Sequence, residues 1–249
     1  MKKFKAPLRF GLRILPLCIF ASLLTFFYRC SISEEAMKAQ ATQMGGMAVF
    51  LLAGLLQMAV MGFLACFFGW ILAHKLELPW SLKIEKMPLL RTFLAALTVG
   101  LLLFLDSLTL GKVYPAIQEV NRQGQTLIGI AAAVLYGGIM EEILMRLLLM
   151  SLIAFLLWKL LGRKQISAPS WTLIAANLIT ALVFAAGHLP AALVFFGELT
   201  PTLLLRCFLL NGLAGLLFGW LYRRYGLSYA MLCHMGSHLV FKLFFGLFF

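Results

Sequence analysis

Seven stretches of the chain, roughly residues 10–28, 47–73, 92–110, 127–158, 171–187, 202–221 and 227–249, are apolar over about the 20 residues that a helix needs to cross a bilayer. Inside hydrocarbon no water satisfies backbone N–H and C=O groups, so such segments close their own hydrogen bonds as helices. The expected fold class is all-α, a polytopic transmembrane helical bundle of seven to eight spans. Composition agrees: 63% of the 249 residues are hydrophobic and 12% charged, against roughly 45–50% and about 25% in soluble domains. So little charge cannot coat a water-facing globule. A soluble nucleic-acid binder, a collagen, a disordered chain and a disulfide scaffold are excluded, and residues 1–249 read as a single membrane-embedded domain.

The net charge of +12 is unevenly placed once the stretches alternate in direction. One side carries Lys2, Lys3, Lys5, Arg9 and Arg13, then Lys75, Lys83, Lys86 and Arg91, then Lys159, Arg163 and Lys164, and finally Arg223 and Arg224. The other carries Arg29, Lys38, Lys112 and Arg122. Cytoplasmic loops are the richer in Lys and Arg and face anionic lipid. This predicts a cytoplasmic N-terminus and an outer C-terminus, which an eighth span would reverse. No small-x-small cleavage site follows the first apolar core, so it reads as an uncleaved anchor in a bacterial plasma membrane. The five cysteines lack CxxC spacing and indicate neither disulfides nor a thiolate metal site.

Two stretches are irregular. The fourth, at about 32 residues, would be roughly 48 Å long as an α-helix against a core of roughly 30 Å, so it must tilt or break. The segment from His188 through Pro190 to Pro201 is apolar without forming a clean span and suggests a short re-entrant piece. Residues 111–126 read as a polar outer loop.

Ionisable side chains in hydrocarbon cost roughly 2.5–3.5 kcal/mol each on insertion scales and mark function or a polar cavity. They gather late in the chain. Glu142 and Arg146 stand at i and i+4 and can pair on one helix face. Glu141 points elsewhere without a local cation, which makes it a candidate general base; a structural ion network of all three is the alternative. His188 ends the fifth span just before Pro190. His234 and His238 share a face of the last span, a spacing that suits a divalent metal or two hydrogen bonds to one small group. Asp106, near the outer end of its span, reads as interfacial, and His74 beside Lys75 as solvated.

Taken in order, Glu-Glu-x-x-x-Arg (Glu141, Glu142, Arg146), Phe-x-x-x-His (Phe184, His188) and the histidine pair beginning at His234 resemble the CPBP (CAAX protease and bacteriocin-processing, or Abi) intramembrane endopeptidases over roughly residues 125–245, the protease core. His238 stands where many members carry Asn. The resemblance implies peptide hydrolysis with Glu141 activating a water, His188 holding it, His234 and His238 stabilising the oxyanion, and Glu142 with Arg146 in support. It implies no cofactor, with zinc at Glu141, His188 and His234 as the minority alternative. The expected partners are the lipid bilayer and a membrane-associated protein or peptide substrate, not nucleic acid. Buried acids and histidines also build carriers, so a transporter is one competing reading; a non-catalytic immunity or scaffold protein is the other.

Depth counting raises a conflict. At the α-helical rise, Glu141 lies roughly 21 Å from the outer end of its span and His234 roughly 10 Å from the inner end of its own, which agree on a site nearer the cytoplasm, whereas His188 lies roughly 26 Å from the inner end of the fifth, too far out. Agreement requires a later start to the fifth span, a fold-back at Pro190 or a broken helix.

Overall fold

The computed structural model describes residues 4–79, 85–162 and 164–249; Lys2, Lys3, Lys83 and Arg163, used in the charge count above, lie outside the described residues. The chain is a bundle of helices: α1 (Lys5–Ile32), α2 (Glu34–Gln43), α3 (Met47–Lys75), α4 (Lys86–Val113) and α5 (Pro115–Gln123) make its first half. The fourth span, Leu127–Leu161, comprises α6 (Leu127–Ala132), two π-helical stretches (Ala133–Glu141 and Ile143–Met150) and α7 (Ser151–Leu161). Then come α8 (Ser170–Gly187), α9 (Leu189–Phe196), α10 (Pro201–Tyr225) and α11 (Leu227–Phe248). Seven helices among the described residues are long and apolar enough to cross a membrane.

Elements begin and end where local chemistry dictates. The Thr126 hydroxyl accepts from Gly129 N–H at 3.1 Å and caps α6. Thr200 caps α10 in the same way, at 3.3 Å from Leu203 N, with Pro201 occupying the first turn, where a missing N–H costs nothing. With lipid as apolar as any side chain, the helices associate through close packing at small residues. A side chain begun at Gly100 of α4 would meet Val240 of α11 at 2.6 Å, so these two helices touch backbone to side chain.

Two sequence expectations change, and a third residue gains a partner. Residues 111–126 are mostly helical: α4 runs on to Val113 and α5 follows, with Ile117 buried and Asn121 donating to the Ser107 hydroxyl at 2.8 Å. The segment after His188 is not re-entrant but continues as α9 after that single residue. Asp106, read as interfacial, is 8% exposed and held by Arg206 of α10 through three hydrogen bonds of 2.7–2.9 Å. Its partner lies 100 positions away, beyond the reach of any local pattern. His74 is exposed, as expected, with Nδ1 bonded to the Trp70 carbonyl.

The fourth span, 35 residues long, neither runs as plain α-helix nor breaks. Its middle is wound with i→i+5 hydrogen bonds, which fit more residues into each turn, and π-helical turns are frequent at functional sites.

Candidate active site

The two π-helical stretches meet at Glu142, so the acidic pair sits at the junction between them. Glu142 is fully buried, and its Oε1 faces Arg146 Nη1 at 3.1 Å. Arg146 is equally buried; its Nη2 donates to the Gly215 carbonyl of α10 at 3.1 Å, and its guanidinium lies 4.6 Å from the Phe184 ring and 5.3 Å from Phe218. A desolvated cation over aromatic faces gains from the ring quadrupole. Glu142 Oε2 has no hydrogen bond among the described residues.

The same Glu142 Oε1 lies 2.8 Å from Nδ1 of His234. A carboxylate accepts, so Nδ1 carries the proton, and in the neutral imidazole Nε2 is left with its lone pair. That Nε2 stands 3.9 Å from Glu141 Oε2. The gap is too long for a hydrogen bond and wide enough for one water bonded to both atoms. Glu141 is about a quarter exposed where Glu142 is not exposed at all. The two neighbouring acids thus face different surroundings, one paired and sealed, the other open to a cavity.

His188 is committed in a similar way. Its Nδ1 donates to the Phe184 carbonyl at 2.8 Å, which again leaves Nε2 as an acceptor. Phe184 stands between the histidines, its ring 4.7 Å from His188 and 6.0 Å from His234. His238 stacks on His234 with ring centres 5.1 Å apart and has no hydrogen bond to either nitrogen among the described residues. Of the three imidazoles in the site it alone is not fixed as an Nε2 acceptor. Room for the pair comes from Gly137: a side chain there would begin 2.9 Å from His234 Nε2 and 3.1 Å from His238 Nε2.

Glu141, Phe184 and His188 line one cavity of about 680 Å³, within the usual range for a ligand site. Its walls are the last turns of α1 with one face of α2 on one side and the end of α8 with α9 on the other. The difference in depth between Glu141 and His188 narrows because nine of the residues before Glu142 are π-helical, while α8 starts at Ser170 and His234 stays seven residues into α11. Glu141 therefore sits nearer the outer end than an α-helical rise gives.

All six residues singled out in the sequence occur together around this site. Reading the sequence did not anticipate Gly137, Phe218, the Gly215 carbonyl or the Glu142–His234 bond; the small pair Gly137-Gly138 was the one visible signal, because a side chain absent from a crowded helix face marks a close approach.

The two committed Nδ1 atoms are what a metal-bound histidine requires. The geometry does not follow: among the described residues no three His, Cys, Asp or Glu side chains are gathered to hold a metal ion.

A family model described as type II CAAX prenyl endopeptidase Rce1-like matches residues 123–240, a region that holds Glu141, Glu142, Arg146, Phe184, His188, His234 and His238 but not the α1 and α2 walls of the cavity. Comparison with curated proteins and with solved structures gives no match.

Proposed function

We propose, on the premise that this chain belongs through residues 123–240 to the Rce1-like type II CAAX prenyl endopeptidases, that it hydrolyses peptide bonds within the membrane using a glutamate-activated water. The family supports CAAX-type intramembrane endopeptidase activity; the residue roles are our reading. The observation that carries it is the 3.9 Å gap between Glu141 Oε2 and His234 Nε2 beside an apolar cavity.

In this reading a water sits in that gap and donates one hydrogen to each atom. As its oxygen attacks the scissile carbonyl carbon, Glu141 takes a proton from it, and later passes that proton to the leaving amine nitrogen. The carbonyl oxygen becomes an oxyanion, and His238 donates Nε2–H to it. His234, held by Glu142, serves the water as an acceptor rather than the oxyanion as a donor, a change from the role its motif implies. His188 presents a second acceptor. Glu142 and Arg146 fix His234 and neutralise each other. No cofactor enters these steps.

The substrate is a membrane-associated protein or peptide, and the setting is a lipid bilayer. We place the enzyme in a bacterial plasma membrane with its N-terminus in the cytoplasm, on the strength of the lysine and arginine distribution. The test is cleavage of a peptide library by the purified protein in detergent, with and without a chelator. Cleavage that survives chelation is expected. Cleavage lost to the chelator and restored by zinc would refute the metal-free reading, and no cleavage of any peptide by folded protein would refute the protease.

A further inference from the structure

The bundle has two ends of different charge, and the cavity reaches only one. At the first end lie the starts of α1, α4, α8 and α11 and the ends of α3, α7 and α10. Among the described residues ten lysines and arginines of that side of the chain (Lys5, Arg9, Arg13, Lys75, Lys86, Arg91, Lys159, Lys164, Arg223 and Arg224) stand there against Glu77 and Glu85. At the second end Arg29, Lys38, Lys112 and Arg122 are balanced by Glu34, Glu35, Glu119 and Glu198.

The assignment of ends is structural as well as sequential. Arg91 near the start of α4 hydrogen-bonds the hydroxyl of Tyr225 at the end of α10, and the Glu85 N–H donates to Tyr229 of α11 at 2.8 Å. At the opposite end Asp106 of α4 meets Arg206 of α10.

The cavity that contains Glu141 and His188 extends to Arg29 and Ser33, where α1 finishes, and to Ala36, Met37 and Gln40 of α2, all at the second end. Its deepest members toward the first end are Leu144 and Met145 of the π-helical segment, and no described residue of the connections at the first end lines it. Glu141 is thus approached through the charge-balanced end.

Lys and Arg accumulate on the cytoplasmic side, and we infer that the catalytic cavity opens on the extracytoplasmic face, so that its substrates are peptide segments presented there: exported peptides, or the outer juxtamembrane tails of membrane proteins. The sidedness stands on charge and cavity geometry, while the substrate class also rests on the proteolytic reading.

Two measurements separate these. Gln40→Cys marks the cavity mouth and Lys159→Cys the opposite end, each in a full-length Cys30→Ser background expressed in bacterial cells. A membrane-impermeant maleimide added to intact cells should label Gln40→Cys and spare Lys159→Cys until the cells are lysed. Labelling of Lys159→Cys but not Gln40→Cys in intact cells would overturn the sidedness, and label on both after lysis shows that each site is reachable. In parallel, a segment that the purified enzyme cleaves is fused to the outer or the inner end of a single-span anchor. Loss of the outer fusion alone is expected. Loss of the inner fusion alone would overturn the proposed substrate class, whereas loss of neither, with Gln40→Cys still labelled from outside, would count against the proteolytic reading and leave the sidedness standing.

Discussion

Glu142 decides most of what happens around it. One carboxylate oxygen serves both the Arg146 guanidinium and the His234 imidazole, in a place that water does not reach. Removing one partner strands the other charge, which costs about 3–5 kcal/mol for a fully buried pair. Arg146→Ala should therefore lower stability by that amount in denaturant unfolding, whereas Glu141→Gln, at a partly exposed position, should leave it nearly unchanged. Equal losses for both would mean that the acids are structural. Gly137→Ala should keep the fold and cost about 10²-fold in kcat/KM, since displacing catalytic groups by about 1 Å has that effect; unchanged activity would show that the imidazoles need not hold their present position. His238→Asn, which keeps a donor, should retain cleavage, and His238→Ala should lose about 10²–10³-fold if it contacts the oxyanion. The identity of these residues was legible in the sequence because hydrocarbon makes every ionisable group conspicuous. Their division of labour was not, since the Glu142–His234 bond joins residues 92 positions apart and alone fixes which imidazole nitrogen faces the water.

Between helices, the same gap in legibility recurs. Asp106 and Arg206 each looked like a charge near the end of a span, and only the packing of α4 against α10 shows that they neutralise each other. Hydrogen bonds to charged groups contribute about 1.5–3 kcal/mol, so Arg206→Gln should destabilise the protein within that range by thermal unfolding, while cleavage by the folded fraction persists. A loss of catalysis without a loss of stability would instead put Arg206 in the site. The excess length of the fourth stretch was plain from counting, but its remedy was not. A π-helical winding depends on which backbone bonds the surrounding helices permit, and residue periodicity does not encode that choice. The opposite error occurred at residues 111–126, where polar composition suggested a loop and Ile117 together with the Asn121–Ser107 bond holds a helix against α4.

For the molecule as a whole, apolar length alone set the number of spans, because a bilayer imposes one thickness on every crossing. The count of seven holds among the described residues, and the late polar clusters lie together, with Glu141 of the fourth span and His188 of the fifth on one cavity and His234 of the last span 3.9 Å from Glu141. How that cavity is bounded was not readable, since it depends on α1 and α2 standing apart from α8 and α9 across an opening that no single helix defines. The account as a whole rests on Glu141 as the group that activates water. The most direct measurement is the rate at which purified Glu141→Gln cleaves a peptide that the parent protein cleaves, both shown to be equally folded. The account predicts that cleavage falls to background; cleavage at the parent rate would contradict it.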